Sequence, residues 1–312
     1  MDSQNSTEEV TFILLGLSQY PRAQTVFFCL LLMSYVITLC GNSLILLLIY
    51  YDPQLHTPTY FFPSNLSFLD SCYTTSSVPQ MLINCLVTIP VISLGQCVAQ
   101  MATGLYLGVV ECLLLAAMAY DRCVAIVDPL RYSVHMRLQC CVLLAGTSWT
   151  AAFLLTVVPV LTMPLEFCGH HVINHFSCEP LALLKLACSD LRFYESLMLG
   201  IGALTLLAPF AFILGSCGRI LVAVLRMWSM EGRGKAFSTC GSHLTVVVLF
   251  YGTAISMYMM PQDKTIHDRD KIISISYGIL TPMMSPLIYS LRNKEVKGAF
   301  TRLMGRKIDL KV

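Results

Sequence analysis

Long stretches without a charged side chain dominate this sequence. No Asp, Glu, Lys or Arg occurs between Arg22 and Asp52, Arg137 and Glu166, Glu195 and Arg219, Lys235 and Asp263, or Lys271 and Arg292. Each gap can hold the roughly 20 residues that a helix needs to cross the hydrocarbon core of a bilayer. Only Asp70 and Glu111 interrupt the region from Asp52 to Asp121, which is long enough for two more helices joined by the turn-rich "TIPVISLGQ" at 88–96. The expectation is an all-α membrane protein: a seven-transmembrane helix bundle with spans near 25–50, 57–82, 96–122, 139–163, 195–225, 236–260 and 271–291. An outer arm (1–24) precedes the spans, and a cytoplasmic tail with a short helix (292–312) follows them.

Composition agrees. The 312 residues are 56% hydrophobic and only 12% charged, far greasier than a soluble domain of this length. Cationic residues set the orientation. With the N-terminus outside, the inner side receives Arg122, Arg131, Arg137, Arg219, Arg226, Arg233, Lys235 and seven more in the tail, fourteen of the 20, leaving six outside. The first 25 residues carry Glu8 and Glu9 and no basic leader, so they do not read as a cleavable signal peptide. A plasma-membrane location with the N-terminus extracellular follows. Asn5-Ser6-Thr7 is a glycosylation sequon on the outer arm; Asn65-Leu66-Ser67 falls within a span and is expected to stay bare. No repeat, low-complexity tract or second domain is visible.

The chain has fourteen cysteines, most of them within spans, where a free thiol packs as a small apolar group. Cys97, Cys168, Cys178 and Cys188 fall at the outer face, where two disulfides can form with three alternative connectivities. The nearby "HFSCE", with His170, His171 and His175, also invites a metal reading; a Cys178 consumed by a disulfide argues against it.

Polar residues inside the spans are costly and are functional candidates. Asn42, Asp70 and Glu111 sit on the first three helices. Two carboxylates in hydrocarbon need a cation or protons to neutralise them, so Asp70 and Glu111 are a candidate sodium site, set against a purely structural pair of hydrogen-bonded acids. No other cofactor is implied. Asp121 and Arg122 lie at the inner mouth, read either as a snorkelling pair or as a latch on the third helix.

Six segments in order resemble the vertebrate olfactory receptors of the tetrapod-type class, within the class A G-protein-coupled receptors. They are "GNSLI" (41–45), "LHTPTYFFPSNLSFLD" (55–70), "MAYDRCVAIVDPLRY" (118–132), "KAFSTCGSH" (235–243), "FYGT" (250–253) and "PMMSPLIYSLRN" (282–293). The resemblance implies Cys97–Cys178 and Cys168–Cys188 bridges, a cation site at Asp70 and Glu111, Arg122 as the G-protein-facing switch beside Asp121, and Pro286 and Tyr289 as the bend and switch of the seventh helix. It implies a small volatile odorant as ligand, a stimulatory heterotrimeric G protein and trafficking helpers as protein partners, and contact with lipid but not nucleic acid. The chain departs from the family pattern at Cys123, where Tyr usually follows Asp-Arg, at Cys217 in place of a fifth-helix Tyr, and at Ser285 in place of Asn. Thr59 stands for Met, Pro63 for Leu, and Val127-Asp128 where a Cys is usual. These departures touch the activation machinery and put signalling strength in question.

Helical spacing groups Gly104, Leu105, Gly108, Val109 and Cys112 on the third helix. Tyr251, Ala254 and Tyr258 form one face of the sixth, presenting two hydroxyls toward the bundle, and Gly202 and Thr205 complete the wall from the fifth. Such a site is apolar with a few hydrogen-bonding groups and no fixed charge, which suits a neutral small molecule; ordinary packing of small residues between membrane helices is the competing account. A non-olfactory class A receptor is the alternative function. A transporter fits less well because no repeated halves are visible. No nucleophile, base or His pair that would define an enzyme is present.

Overall fold

The computed structural model describes residues 10–16, 21–164, 166–167, 171–184, 186–190, 192–226, 230–258, 267–292 and 294–309. Seven long helices form one bundle: α1 (Pro21–Tyr51), α2 (Pro58–Asn84), α3 (Leu94–Val127), α4 (Leu138–Thr162), α5 (Arg192–Arg226), α6 (Met230–Tyr258) and α7. The last comprises His267–Ile275, a π turn at Ser276–Leu280 and Thr281–Arg292. Six are long and apolar enough to cross a membrane; α2 has the length but is diluted by Ser, Thr and Asn.

The helices are sided in the manner of a membrane bundle. In α1 the buried positions are Leu31, Ser34, Thr38, Asn42, Ile45 and Leu48, one stripe at intervals of three and four. Val26, Leu30 and Met33 face outward, so the inner stripe is the more polar one, as expected where lipid is the solvent. A capping box starts α3: Ser93 Oγ accepts from the Gln96 amide at 3.3 Å, and Gln96 Oε1 accepts from the Ser93 amide at 3.4 Å. From there α3 crosses the centre, packing on α2, α4 and α5.

Prolines explain the two π turns. Pro159 has no amide hydrogen and its ring crowds the carbonyl four residues back, and α4 widens over Phe153–Val157 immediately before it. Pro282 follows the α7 π turn in the same way, and the Thr281 hydroxyl returns to the Ser276 carbonyl at 3.3 Å. Close approach of α1 and α7 requires Gly41, whose added Cβ would lie 3.1 Å from Pro286 Cγ.

One end of the bundle carries a cap absent from the sequence reading. Strand β1 (Thr11–Leu14) lies between β2 (Val91–Ser93), paired antiparallel, and β3 (Val172–Ile173), paired parallel. Alternation drives Phe12 and Leu14 inward against Ile92, Met101, Cys97 and Cys178. At the other end a further helix, α8 (Lys294–Asp309), buries Val296 and Ala299 against Leu48, Leu55 and Tyr60. Arg302 holds Asp52 Oδ2 at 2.6 Å and Tyr60 donates to Glu295 at 2.5 Å. The helices exceed the expected spans at most ends. In particular α3 continues to Val127, so Asp121 and Arg122 sit more than a turn inside it and do not close it.

Candidate ligand site and Asp-Arg latch

A cavity of about 400 Å³ lies beneath the cap between α3, α4 and α5. Gly104, Leu105, Gly108, Val109 and Cys112 supply its α3 wall, Gly202 and Thr205 its α5 wall, and Ala254 a contact from α6. Spacing alone had grouped these residues. The glycines act in two ways. A Cβ on Gly104 or Gly202 would meet nothing within 4 Å, so their missing side chains are cavity volume. A Cβ on Gly108 would lie 2.5 Å from the Tyr277 hydroxyl, so that glycine admits the tyrosine.

Tyr251 is placed differently from the expectation. It is 1% exposed, does not line the cavity, and directs its hydroxyl to the Cys112 carbonyl at 3.2 Å. Its ring sits against Phe210 and Phe250 with centroids 5.0 and 5.2 Å away, so it ties α6 to α3. The side chain of Tyr258 lies outside the described residues. Residues the spacing did not find complete the walls: Leu155, Thr156 and Pro159 on α4, Phe250 on α6 and Tyr277 on α7. A proline and a threonine within an otherwise apolar span were the available signal on α4.

The Cys97–Cys178 disulfide pins the loop over the cavity to the first turn of α3. The Cys178 amide donates to Gln100 Oε1 at 2.9 Å, and Ser274 donates to Glu179 Oε1 at 3.2 Å. Cys188 is also disulfide-bonded; Cys168, its expected partner, lies outside the described residues, as does Asn5. With Cys178 committed, no group of three or more metal-ligating side chains occurs among the described residues, and His175 packs edge-on to Phe176.

Deeper in the bundle Asp70 and Glu111 are 0% and 3% exposed and are electrostatic neighbours. Among the described residues, neither Asp70 carboxylate oxygen has a hydrogen-bond partner, nor do Glu111 Oε1 and Asn42 Oδ1. Ser285, where the resemblance implies Asn, is buried on α7 close enough to Asp70 to interact with it, and its hydroxyl donates to the Thr281 carbonyl at 3.1 Å.

At the end opposite the cap, Arg122 Nε lies 3.7 Å from Asp121 Oδ2. The stronger contact to Asp121 comes from elsewhere. Tyr132, in the short helix Tyr132–His135, donates to Asp121 Oδ1 at 2.7 Å, and Thr59 Oγ1 lies 2.9 Å from the same phenol oxygen. A phenol has one hydrogen. With that hydrogen on Asp121, Thr59 is the donor, and the relay runs Thr59 to Tyr132 to Asp121. Burial, with the carboxylate it faces, holds the Tyr132 phenol above its ordinary range, so the donor stays protonated at neutral pH. Pro286 is buried; the Tyr289 side chain lies outside the described residues.

A seven-helix bundle with a capped ligand-sized cavity at one end and an Asp-Arg pair at the other has the architecture of a rhodopsin-like receptor. Squid rhodopsin superposes with a TM-score of 0.72 at 17% identity, covering 90% of this chain and 80% of that one, which fixes the fold. The family is narrower. The "Olfactory receptor" family model matches residues 28–307. The human olfactory receptor 13H1 is 54% identical over 97% of this chain and 99% of its own length. Human olfactory receptor 13C2 is 47% identical over 98% and 99%, and mouse olfactory receptor 2B6 is 48% identical over 96% and 97%. The chain belongs to the olfactory receptor family. It is therefore a multi-pass membrane G-protein-coupled receptor and not an enzyme.

Proposed function

We propose that this receptor binds small, neutral, mostly apolar odorants in the cavity between α3, α4 and α5 and activates a stimulatory G protein through Arg122, raising cAMP. The observation that carries the reading is the cavity itself. Its volume of about 400 Å³ falls in the range of small-molecule sites, and its walls are mostly apolar, with hydroxyl groups on Thr156, Thr205 and Tyr277 and, against the expectation of no fixed charge, the Glu195 carboxylate at the edge. Lys and Arg clustered at the Asp-Arg end favour that end facing the cytoplasm, with the disulfide-pinned cap outside and the receptor at the plasma membrane. The deciding experiment is a broad odorant panel read as cAMP, with surface level measured and labelled-solute uptake run in parallel. A cAMP response without uptake is expected. Uptake alone, or no response at normal surface density, overturns the reading.

The orphaned oxygens of Asp70 and Glu111 favour a second element of the function: a sodium ion or protons shared by the two carboxylates. Buried acceptors without donors are destabilising unless a cation or proton satisfies them. Glu111→Gln is expected to reduce the sodium dependence of agonist potency while surface level holds. Identical sodium titrations for parent and variant would make the pair purely structural.

A further inference from the structure

We infer that ligands reach this cavity sideways from the bilayer, through a portal between α4 and α5, as neutral lipophiles carrying a hydroxyl group. The inference rests on the reading of the cavity as the ligand site. It starts from Leu199, which lines the cavity and is 64% exposed, whereas Thr205 and Leu206, which line it from the same helix, are 7% and 6% exposed, so most of the Leu199 surface faces away from the cavity. A single side chain that meets both the cavity and the exterior means that the wall there is one residue thick.

Packing explains the thin wall. The principal partner of α5 is α3, whereas α4 packs on α2 and α3, so α4 and α5 stand side by side with the cavity reaching between them. Leu155 and Pro159 border the gap on the α4 side; Leu199 and Ala203 border it on the α5 side. Pro159 and the π turn before it widen α4 at this level. Outside the gap lie Leu154, Val158, Leu161 and Leu204, all exposed and apolar, a surface that only lipid solvates without cost.

Among the described residues, the end toward water is held by better-made contacts than the side. Above the gap Tyr194 donates to the Thr162 carbonyl at 2.8 Å, joining the ends of α5 and α4. The loop over the cavity is held by the Cys97–Cys178 bond, by Gln100 and by the Ser274–Glu179 contact. Among these residues, parting the top breaks hydrogen bonds, whereas parting the side moves leucines.

The polar lining selects the ligand chemistry. Thr156 donates its hydroxyl hydrogen to the Ala152 carbonyl at 2.7 Å, and Thr205 donates to the Ile201 carbonyl at 2.8 Å. Each threonine therefore offers the cavity lone pairs and no hydrogen. The Glu195 carboxylate is a further acceptor and the Tyr277 phenol both donates and accepts; a ligand alcohol or phenol supplies the donor that the threonines and the carboxylate lack, and its apolar remainder concentrates it in the bilayer beside the portal.

The test uses the full chain in phosphatidylcholine vesicles and a long-chain primary alcohol bearing an alkyl diazirine. The alcohol is added to preformed vesicles, the sample is flashed after increasing delays, and label is quantified on the α3 segment that lines the cavity, Gly104 to Cys112. Leu199→Trp and Ala203→Trp are expected to slow the rise of that label about tenfold, the mark of a raised barrier. Leu199→Ala, which cannot obstruct, is expected to fill at least as fast as the parent and controls for folding. An unchanged rate in both tryptophan variants overturns the portal alone. A plateau that falls while the rate holds does so too, because the new side chains then only occupy volume. Label confined to outward residues such as Leu204 in the parent overturns the cavity reading itself.

Discussion

Asp121 shows how a single departure from a family pattern can be absorbed locally. Its carboxylate has two oxygens, one turned to Arg122 at 3.7 Å and one accepting from Tyr132 at 2.7 Å. The longer contact is a weak ion pair; the shorter is a charge-assisted hydrogen bond of the stronger kind. Thr59, where the resemblance implies Met, adds a donor behind the phenol. Asp121 is thus held as much by the segment after α3 as by Arg122. Tyr132→Phe leaves a buried carboxylate oxygen unmatched, a loss of about 1.5–3 kcal/mol for a hydrogen bond to a charged group, borne by the closed state. Basal cAMP at matched surface level is expected to rise severalfold. Thr59→Met removes a neutral bond worth about 0.5–1.5 kcal/mol and is expected to shift basal cAMP in the same direction by less. Unaltered basal cAMP in Tyr132→Phe would show that the phenol is only packing.

At the scale of elements, what the sequence discloses depends on range. Charge-free gaps disclose five helices because hydrocarbon excludes charge along a span, and the region from Asp52 to Asp121, with only Asp70 and Glu111 inside it, discloses two more. They do not disclose helix ends, since α3 runs on through Asp121 and Arg122 to Val127. Period 3.6 groups Gly104, Gly108 and Cys112 on one face because that relation is internal to a helix. It cannot say which neighbour a face meets, so Tyr251 was expected at the ligand and instead bonds the Cys112 carbonyl, while Tyr277 on α7 took the place beside Gly108. The cap was invisible for a related reason. Its strands have 4, 3 and 2 residues, below the length at which alternation reads as a signal, and their partners are remote in the chain. Phe12, Leu14 and Ile173 nevertheless bury completely around Cys97–Cys178, so the disulfide and the cap stabilise one another. Cys178→Ser removes a constraint typically worth about 2–5 kcal/mol in small extracellular modules and also frees the loop that roofs the cavity. Surface staining is expected to fall to background, with the protein retained inside the cell. Normal staining and response would mean that the three-strand cap suffices alone.

At the scale of the whole molecule, the proposed function puts ligand and G protein at opposite ends, and coupling between them then requires a bundle with two arrangements that both partners bias. The resemblance assigns part of the active arrangement to a tyrosine on α5, and this chain has Cys217 there. Cys217 is half-buried against the central cluster, whereas Cys123 is 7% exposed and packed among Ile220, Val224, Ile126 and Cys240. The two positions therefore differ in what they can accept. A phenol at 217 has room at the edge of the packing, while a phenol at 123 enters a filled site, where overpacking costs about 1–3 kcal/mol. A thiol is a weak donor, so the active arrangement lacks roughly one hydrogen bond, about 0.5–1.5 kcal/mol. At about 1.4 kcal/mol per decade, the receptor is expected to populate its active state roughly twofold to tenfold less than a tyrosine-bearing relative. Cys217→Tyr is expected to raise basal and maximal cAMP by that factor at matched surface expression, with the ligand concentration for half response moving little. Adding Cys123→Tyr is expected to lower surface level through crowding against Ile220 and Val224, and to raise signalling further per receptor that reaches the surface. A concentration-response curve for Cys217→Tyr that overlays the parent would show that the thiol already serves the active arrangement, and that the strength of signalling in this bundle is set elsewhere.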